Sequence, residues 1–309
     1  MKILITSNSF GSTDKNVFTR LENAGFEIYK NQVGRIMNEG ELIENLKDKD
    51  AVILGTENLT KSVIDECSCL KVVSRYGVGC DHVDVLELEK RGIKLEITKN
   101  ANSNAVADHA LALMLCLAHR INIADVNMKN LIWKKEHSRD LYGSNVGIIG
   151  LGAIGKGVAE RVKGFGCKIY AFDKFYDEEF VKQNDIVKAD LDTIYKYCDY
   201  VSLHIPSLPE YKKFINSEVF HKMKNSVYII NTARADLINH DDLYDALEKN
   251  EIGGYATDVY KDEPNIDEKL IDYNNTVLTP HMAAVTDGAI REMSNIAVEN
   301  ILKHFTNLR

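Results

Sequence analysis

The sequence predicts an α/β protein made of two doubly wound parallel sheets. Apolar strand candidates alternate with helical patterns along the whole chain, which favours parallel sheets covered by helices. A glycine-rich turn of the kind that binds dinucleotides lies in the middle of the chain, so the first hundred residues must form a separate unit. The length of 309 residues is enough for two domains, each with its own core.

The strand candidates fall into two blocks. The first block holds apolar runs at residues 3–6, 27–29, 51–55, 71–74 and 94–97. The second block holds runs at residues 146–149, 169–172, 200–204, 227–231, 255–259 and 276–279. We expect the first block to form a flavodoxin-like domain for the substrate. The second block carries the glycine-rich turn and predicts a Rossmann-type nucleotide domain.

Two helices are expected where the blocks meet. Residues 105–117 are apolar nearly all round, as in a helix buried between domains. Near the C-terminus, apolar residues recur at steps of three and four, at Ile290, Met293, Ala297, Ile301 and Phe305. We expect this last helix to return to the first domain. The predicted domains are therefore 1–101 with 285–309, and 102–284, with ligands in the cleft between them.

The glycine-rich turn begins at Gly150, where an apolar strand runs into the pattern Gly-x-Gly-x-x-Gly. Gly150 permits the tight turn, Gly152 lets the backbone approach a pyrophosphate, and Gly155 lets the helix pack closely on the strand. Ala153 and Ile154 open that helix, whose exposed amides would hold the phosphates. Strand, helix and glycines together predict a dinucleotide site.

The next strand candidate ends at Asp173, 23 residues after Gly150. An acid at this place hydrogen-bonds the adenosine ribose, which favours NAD. The alternative is that Asp173 only caps the following segment. Lys174 comes directly after it and leaves tolerance of the 2′-phosphate of NADP open.

Composition argues against several other classes of protein. The chain has 38 Lys and Arg against 46 Asp and Glu, a net charge of −8 with no basic block, so neither nucleic acid nor a membrane is an expected partner. The first residues lack the features of a signal peptide, and the apolar stretch 105–118 is too short to span a bilayer. The six cysteines form no zinc pattern, so we expect reduced thiols, no metal site and a cytoplasmic protein.

Three polar residues follow apolar strands in the second block, namely Arg234, Asp258 and His281. Oxidising an alcohol beside a carboxylate needs a cation for the carboxylate, a base for the hydroxyl proton and a nicotinamide to accept hydride. We expect the three residues to face the same cleft as the nucleotide loop, because they follow parallel strands. This set predicts hydride-transfer chemistry.

Several motifs, spread over nearly the whole chain, resemble those of the D-isomer-specific 2-hydroxyacid dehydrogenases. They are the substrate loop 75–81, the hinge helix 102–111, the turn His204-Ile205-Pro206, and the segments 231–234, 258–264 and 280–284. Within that family, the short length and the loop 75–79 are similar to phosphoglycerate dehydrogenases without a regulatory domain. The implied substrate is 3-phosphoglycerate or a close analogue, and the alternative is hydroxypyruvate or glyoxylate.

The resemblance also implies roles for individual residues. His281 is the acid/base, Glu263 holds its other ring nitrogen and favours the imidazolium, and Arg234 clamps the substrate carboxylate. The implied cofactor residues are Gly150, Gly152, Ala153, Ile154, Gly155, Asp173, His204, Pro206, Thr232, Ala233, Asp258 and His281. Among them, Asp258 would orient the nicotinamide carboxamide. The implied substrate residues are Arg75, Tyr76, Gly77, Val78, Gly79, Asn102 and Arg234.

Alternatives remain for these roles. Glu263 could belong to a plain turn, Arg234 to a surface ion pair, and His204 could be structural. The chain departs from the family pattern at Asp108, Tyr211, Ala235 and Asp236. Two other functions stay open: an NAD-sensing binding protein of the same fold without turnover, and a relative of formate dehydrogenases, in which glutamine usually partners the histidine.

A phosphorylated substrate would need extra cations from the first domain, for which Arg35, Lys61 and Arg75 are the candidates. The alternative for each is a solvated surface charge.

The segment between the hinge helix and the first nucleotide strand predicts the assembly. Residues 129–142 contain Trp133, the only tryptophan, and further apolar side chains between charged flanks. Large apolar groups on an extension usually mark a partner surface, so we expect a symmetric homodimer with arms crossing to the other subunit. The alternative is that Trp133 packs back onto its own domain.

Overall fold

The computed structural model describes residues 1–306. The chain divides into two compact units. The first unit contains residues 1–102 and the segment that begins at Ala284, and the second contains residues 103–283. The boundaries expected from the sequence, 101/102 and 284/285, each differ from these by one residue.

Each unit contains one sheet. The strands of the first unit are β1 (Lys2–Ile5), β2 (Glu27–Lys30), β3 (Ala51–Leu54), β4 (Val72–Arg75) and β5 (Lys94–Ile97). The strands of the second unit are β6 (Asn145–Ile149), β7 (Lys168–Phe172), β8 (Val187–Lys188), β9 (Tyr200–Leu203), β10 (Tyr228–Asn231), β11 (Gly254–Thr257) and β12 (Thr276–Leu278).

Helices connect these strands. They are α1 (Asn16–Asn23), α2 (Glu39–Leu46), α3 (Lys61–Glu66), α4 (Val85–Lys90), α5 (Ser103–His119), α6 (Ile121–Lys129), α7 (Ala153–Lys163), α8 (Glu178–Gln183), α9 (Leu191–Tyr197), α10 (Ser217–Lys222), α11 (His240–Glu248), α12 (Glu268–Ile271) and α13 (Asp287–Thr306). The helix expected at 105–117 is α5, and the C-terminal apolar stripe lies on α13.

Both sheets are parallel throughout. The first has the order β2-β1-β3-β4-β5, which is the flavodoxin-like order. The second has the order β12-β11-β10-β9-β6-β7-β8, which is the Rossmann order extended by one strand. The predicted fold class, α/β with two doubly wound parallel sheets, is therefore confirmed.

Helix α13 packs within the first unit. The amide of Gly11 donates to Ser294 Oγ at 3.1 Å, and Asn300 Nδ2 donates to the carbonyl of Ile97 at 3.2 Å. In the second unit, apolar side chains fill both faces of the sheet, since Ile148 of β6 and Ile149 beside it belong to separate clusters. This two-sided burial explains why its strands read as continuous apolar runs.

The sequence prediction missed β8 and placed the ends of five strands, β1, β3, β9, β11 and β12, one or two residues too far along the chain. Val187 and Lys188 are exposed and pair only with Tyr170 and Ala171, so no apolar pattern marks them. The runs expected at 200–204 and 255–259 end earlier, with β9 and β11, because the chain turns there into the loops of the candidate site.

Helix α6 is exposed along its whole length. None of its residues is buried within the described chain, and Ile121, Val126 and Met128 are each more than half exposed. In the segment that follows, Leu131 is 95% and Trp133 is 81% exposed. The alternative that Trp133 packs back onto its own unit is therefore wrong for this chain on its own.

A search of residues 1–306 finds no single helix that is both long and apolar enough to cross a bilayer. Helices α5 and α6 meet the length and composition criteria only when taken together, and they are bent by 65° relative to each other.

Candidate active site

The glycine-rich turn is held by close backbone contacts that only glycine permits. Gly150 has φ +100°, and a Cβ on it would lie 2.5 Å from the carbonyl oxygen of His204. A Cβ on Gly155 would lie 2.0 Å from the carbonyl oxygen of Gly150. These two glycines therefore pack β6 against α7 and against the chain that leaves β9.

Gly152 serves a different purpose. It is the N-cap residue of α7, it offers no side chain to cap the helix, and a Cβ on it would meet nothing within 4 Å. The helix therefore presents its first amides and the positive end of its dipole to open space, which suits a pyrophosphate.

Two buried polar atoms near the same strand ends lack partners among the described residues. They are Thr232 Oγ1, just after β10, and His204 Nδ1, just after β9. Buried polar groups are nearly always hydrogen-bonded, so these two atoms are available to a ligand or to water at the strand ends. Together with the open space at Gly152, these atoms fit a bound dinucleotide.

Asp173 lies directly after β7 and binds the glycine-rich turn. Its carboxylate accepts from the amide of Leu151 at 2.6 Å and from the amide of Phe175 at 3.0 Å. A carboxylate has about four acceptor sites, so capacity for a ribose hydroxyl remains beside these two bonds. The capping alternative and the ribose role are therefore compatible.

Lys174 is engaged by a neighbouring turn. Its ammonium lies 3.4 Å from Glu210 Oε1 and 5.0 Å from the centre of the Tyr211 ring. Hydrogen bonds to Tyr211 and Glu210 raise the pKa of Lys174. Tyr211, which departs from the family pattern, thus contacts Lys174, the residue that would favour NADP.

His204 is unsuited to acid–base work near neutral pH. Burial lowers the pKa of His204 to about 3, so its ring is neutral, and Nε2 lies 2.8 Å from Ser202 Oγ. This geometry supports the expectation that His204 is a structural or cofactor-contacting residue.

The residues expected to carry out chemistry follow three neighbouring strands. Arg234 follows β10, Asp258 follows β11 and His281 follows β12, and these strands pair in parallel. Their carboxyl ends therefore lie at one edge of the sheet, as the sequence predicts. Asn231 Nδ2 donates to the carbonyl of Arg234 at 2.8 Å, and an Arg234 Nη1 donates to the carbonyl of Ala233 at 2.6 Å.

His281 and Glu263 form a close pair. His281 Nδ1 lies 2.6 Å from Glu263 Oε2, and the other carboxylate oxygen accepts from the amide of Tyr260 at 2.9 Å. Burial would raise the pKa of Glu263, but the hydrogen bond and charge of His281 outweigh it, so the pKa is lowered. An ionised Glu263 can only accept a hydrogen bond from Nδ1–H, which leaves Nε2 of the half-exposed ring outside this contact.

Asp258 anchors the loop that carries His281. It is 1% exposed, and its carboxylate accepts from Thr279 Oγ1 at 2.7 Å and from the amides of Met282 and Ala283 at 2.9 and 2.8 Å. Burial would raise the pKa of Asp258, but hydrogen bonds, that of His109 foremost, hold it below its usual value. Little acceptor capacity is left for a nicotinamide carboxamide.

The substrate loop of the first unit is held by hydrogen bonds of its own side chains. Arg75 is buried at the end of β4, where Nε donates to the carbonyl of Gly79 at 2.8 Å and Nη1 contacts the carbonyl of Tyr76. The Tyr76 side chain is also buried, and its hydroxyl donates to the carbonyl of Ile290 at 3.2 Å. The loop therefore presents backbone from Gly77 onward, with Val78 exposed, and a substrate role for Tyr76 stays a prediction.

The other cations considered for a substrate phosphate already have acidic partners. Arg35 donates to both carboxylate oxygens of Glu41, at 2.8 and 2.9 Å, and Lys61 lies 2.9 Å from Asp65. Asn102, the remaining substrate candidate, is partly buried just before α5.

The cysteines are all free thiols, and burial raises the pKa of Cys67 to about 11 and that of Cys198 to about 12. Across residues 1–306, no group of three or more His, Cys, Asp and Glu side chains is arranged to hold a metal ion.

Two histidines near the site were not singled out by the sequence. His109 of α5 lies 3.0 Å from Thr279 Oγ1 and 3.5 Å from Asp258 Oδ1, and His240 of α11 contacts Ala235 and Asp267. Neither follows a strand, although His109 lies within the hinge helix 102–111, and only the fold brings the two histidines to the loops that they contact.

An open helix N-terminus after β6, with an arginine and a glutamate–histidine pair after neighbouring strands, is an arrangement that suits the chemistry of nicotinamide-dependent oxidoreductases. The family model described as D-isomer specific 2-hydroxyacid dehydrogenase, NAD binding domain, matches residues 111–283. The chain therefore belongs to the D-isomer specific 2-hydroxyacid dehydrogenase family, and its residues 111–283 match the NAD-binding domain of that family.

Individual relatives agree with this assignment. The chain is 34% identical over 304 residues to a D-3-phosphoglycerate dehydrogenase of Synechocystis sp., an alignment that covers 96% of this chain and 54% of that protein. It is 37% identical over 272 residues to a glyoxylate reductase of Thermofilum pendens, covering 85% of this chain and 80% of that protein. The chain thus spans about half the length of the phosphoglycerate dehydrogenase that it matches.

A solved structure shows the same fold. D-lactate dehydrogenase from Aquifex aeolicus, complexed with NAD and lactic acid, superposes with a TM-score of 0.83 at 28% identity, over 99% of this chain and 95% of that one.

Proposed function

We propose that this protein is an NAD-dependent D-2-hydroxyacid dehydrogenase, which transfers hydride between the nicotinamide and C2 of a small 2-hydroxy or 2-oxo acid. The observation that carries the proposal is the 2.6 Å contact between His281 Nδ1 and Glu263 at the strand edge where Arg234 also lies. We further propose that the first unit is the substrate-binding domain and the second the nucleotide-binding domain.

The protein's own residues supply binding and proton transfer. In reduction, His281 as an imidazolium donates its Nε2 proton to the C2 oxygen, and in oxidation the neutral ring takes the hydroxyl proton back. Glu263 keeps Nδ1 protonated and stabilises the cationic ring. Arg234 binds the substrate carboxylate, for which a planar guanidinium is suited.

The cofactor, when bound, supplies or accepts the hydride. The amides of residues 152–155 would hold its pyrophosphate and Asp173 its ribose, while Thr232 and His204 offer polar atoms that lack a protein partner. A carboxylate at position 173 accepts from a 2′-hydroxyl and repels a 2′-phosphate, which favours NAD. The main role of Asp258 is to anchor the loop that carries His281.

The substrate that we propose is 3-phosphoglycerate or a close analogue, on the strength of the phosphoglycerate dehydrogenase relative. One observation favours hydroxypyruvate or glyoxylate as a second candidate. Arg35, Lys61 and Arg75 contact Glu41, Asp65 and the loop carbonyls, so a substrate phosphate would have to compete with those partners.

A substitution at His281 tests the catalytic proposal. His281→Asn should fold and bind NADH like the original chain, while kcat falls roughly 10²–10⁴-fold because the acid/base is lost. Asparagine is chosen because position 281 has φ +49°, a conformation that asparagine tolerates. Near-original kcat would contradict the assignment.

A panel of 2-oxo acids with NADH and NADPH, scored by kcat/KM, identifies the substrate. Tight NADH binding without turnover on any 2-oxo or 2-hydroxy acid would instead favour the sensing protein that the sequence leaves open.

We also propose that the protein forms a symmetric homodimer through α6 and the segment that follows it. The exposed Ile121, Val126, Met128, Leu131 and Trp133 support this, since side chains of this size are usually covered by a partner. The free thiols of the six cysteines fit a reducing compartment such as the cytoplasm.

A further inference from the structure

His240, the first residue of α11, contacts two loops at once. Its Nδ1 lies 3.0 Å from Asp267 Oδ2, and its Nε2 lies 3.2 Å from the carbonyl oxygen of Ala235. The side chains of His240 and Asp267 are only 17% and 18% exposed, so water competes weakly for these contacts.

Both partners of the ring can only accept hydrogen bonds. A carbonyl oxygen has no proton to give, and an ionised carboxylate has none either. A neutral imidazole carries one N–H and can donate to only one of the two, whereas the imidazolium donates to both. The observed geometry is therefore fully satisfied only by the charged ring.

The two contacts join the segments that carry the proposed catalytic residues. Ala235 directly follows Arg234, and Asp267 is the N-cap residue of α12, four residues after Glu263. We propose that His240 is a positioning residue, which as an imidazolium ties the Arg234 loop to the Glu263 loop. The consequence of this tie for catalysis rests on the function proposed above.

The charged and titratable groups on the segments that contact His240 are mostly acidic. They are Asp236 on the turn that follows Arg234, Asp241, Asp242 and Tyr244 on α11, and Asp267 and Lys269 at the start of α12. The N-terminus of α11 opposes a positive charge, but the direct contact with Asp267 and the acids of the first turn act against that effect. Lys269 lies over the Tyr244 ring, 4.7 Å from its centre.

Loss of the ring proton would release one of the two loops. The carbonyl of Ala235 also accepts from the amide of Ile238, so the turn would persist while its connection to Asp267 opened. Arg234 would then sample more positions, which weakens binding of a carboxylate more than it alters proton transfer at His281.

The chain offers a matched control on the same helix. Tyr244 donates to the same oxygen of Asp267, at 2.6 Å, but does not bridge the two loops. His240→Gln removes the cation and keeps a polar side chain, and Tyr244→Phe removes one hydrogen bond to Asp267 while leaving the tie intact.

Hydrogen exchange tests the tie without any need for activity. In His240→Gln, the amides of residues 233–238, 262–263 and 265–268 should exchange roughly tenfold faster than in the original chain, the order expected for a lost charge-assisted hydrogen bond. Tyr244→Phe should keep the original protection of these amides. Equal protection in His240→Gln and in the original chain would overturn the proposal.

Kinetics with glyoxylate and with hydroxypyruvate give the second readout. His240→Gln should raise KM for the 2-oxo acid severalfold more than it lowers kcat, with the Kd for NADH unchanged. A parallel loss of kcat and NADH binding would mean a general structural defect and would overturn the positioning role. If the original chain turns over neither of these acids nor 3-phosphoglycerate, the proposed function fails, and the exchange experiment still decides whether the tie exists.

Discussion

Replacing Asp258 by asparagine probes how the His281 loop is held. The Asp258 carboxylate accepts from Thr279 Oγ1 and from the Met282 amide through one oxygen, and from the Ala283 amide through the other. An asparagine can keep the first oxygen, but it places an NH₂ group against the Ala283 N–H. Two donors then face each other at a site that is 1% exposed in the original chain.

The cost follows from that geometry. One buried amide is left unsatisfied, at about 1–3 kcal/mol, and the surviving bonds lose their ionic character. We expect Asp258→Asn to lower the free energy of unfolding by about 3 kcal/mol near neutral pH. The effect depends on pH, because the folded-state pKa of Asp258 is lowered. A lowered pKa stabilises the fold above the unfolded value, near pH 4, and this stabilisation is lost as pH falls through the folded value. The difference between the two chains should therefore be constant above about pH 5 and shrink below about pH 4.

Urea unfolding of the two chains, followed by circular dichroism over that pH range, measures the difference. Asp185→Asn is the matched control, because its side chain is 86% exposed and the change should stay within about 0.5 kcal/mol. A loss below about 1 kcal/mol, or one that persists unchanged at pH 3, would refute the argument that the buried carboxylate anchors the loop.

Three further substitutions test the site and the assembly. Glu263→Gln should move the pH–rate profile of reduction to lower pH, because the His281 imidazolium loses its anionic partner, and an unchanged profile would place Glu263 outside the site. Asp173→Asn keeps an acceptor for the Leu151 amide but removes the charge, so the preference for NADH over NADPH in kcat/KM should fall at least about tenfold, and an unaltered ratio would assign the preference elsewhere. Trp133→Ala should weaken the dimer by about 2 kcal/mol in sedimentation equilibrium without changing the Kd for NADH, and a concentration-independent monomer near 35 kDa in the original chain would exclude that dimer.

Most of the fold could be predicted from the sequence because the patterns that mark its strands, helices and turns are local. Gly150 and Gly155 mark a strand-to-helix turn by residue type alone, and the structure shows the backbone contacts that require them. The strands of the second sheet are buried on both faces, so they stand out as apolar runs. The edge strand β8 is exposed and two residues long, and no local pattern distinguishes it.

The candidate site was only partly predictable for a related reason. His281 and Glu263 lie close together in the sequence and belong to recognisable segments, and they also meet in space. His240 and His109 contribute through partners 27 and 170 residues away, at distances that only the tertiary structure sets. The burial of the Tyr76 side chain beside α13 likewise depends on the tertiary structure and could not be predicted from the loop motif.

The left-handed backbone at His281 has a consequence for how this chemistry could change over time. The residue sits at φ +49°, and the turn is held by main-chain amides bonded to Asp258 rather than by packing of the imidazole, which is 44% exposed. A β-branched residue at this backbone conformation would be strained, at about 1–2 kcal/mol, while asparagine, aspartate or glycine would fit. The acid/base role that we propose for His281 can therefore be lost through a narrow set of residues without unfolding of the domain, so a descendant without that role lies one substitution away.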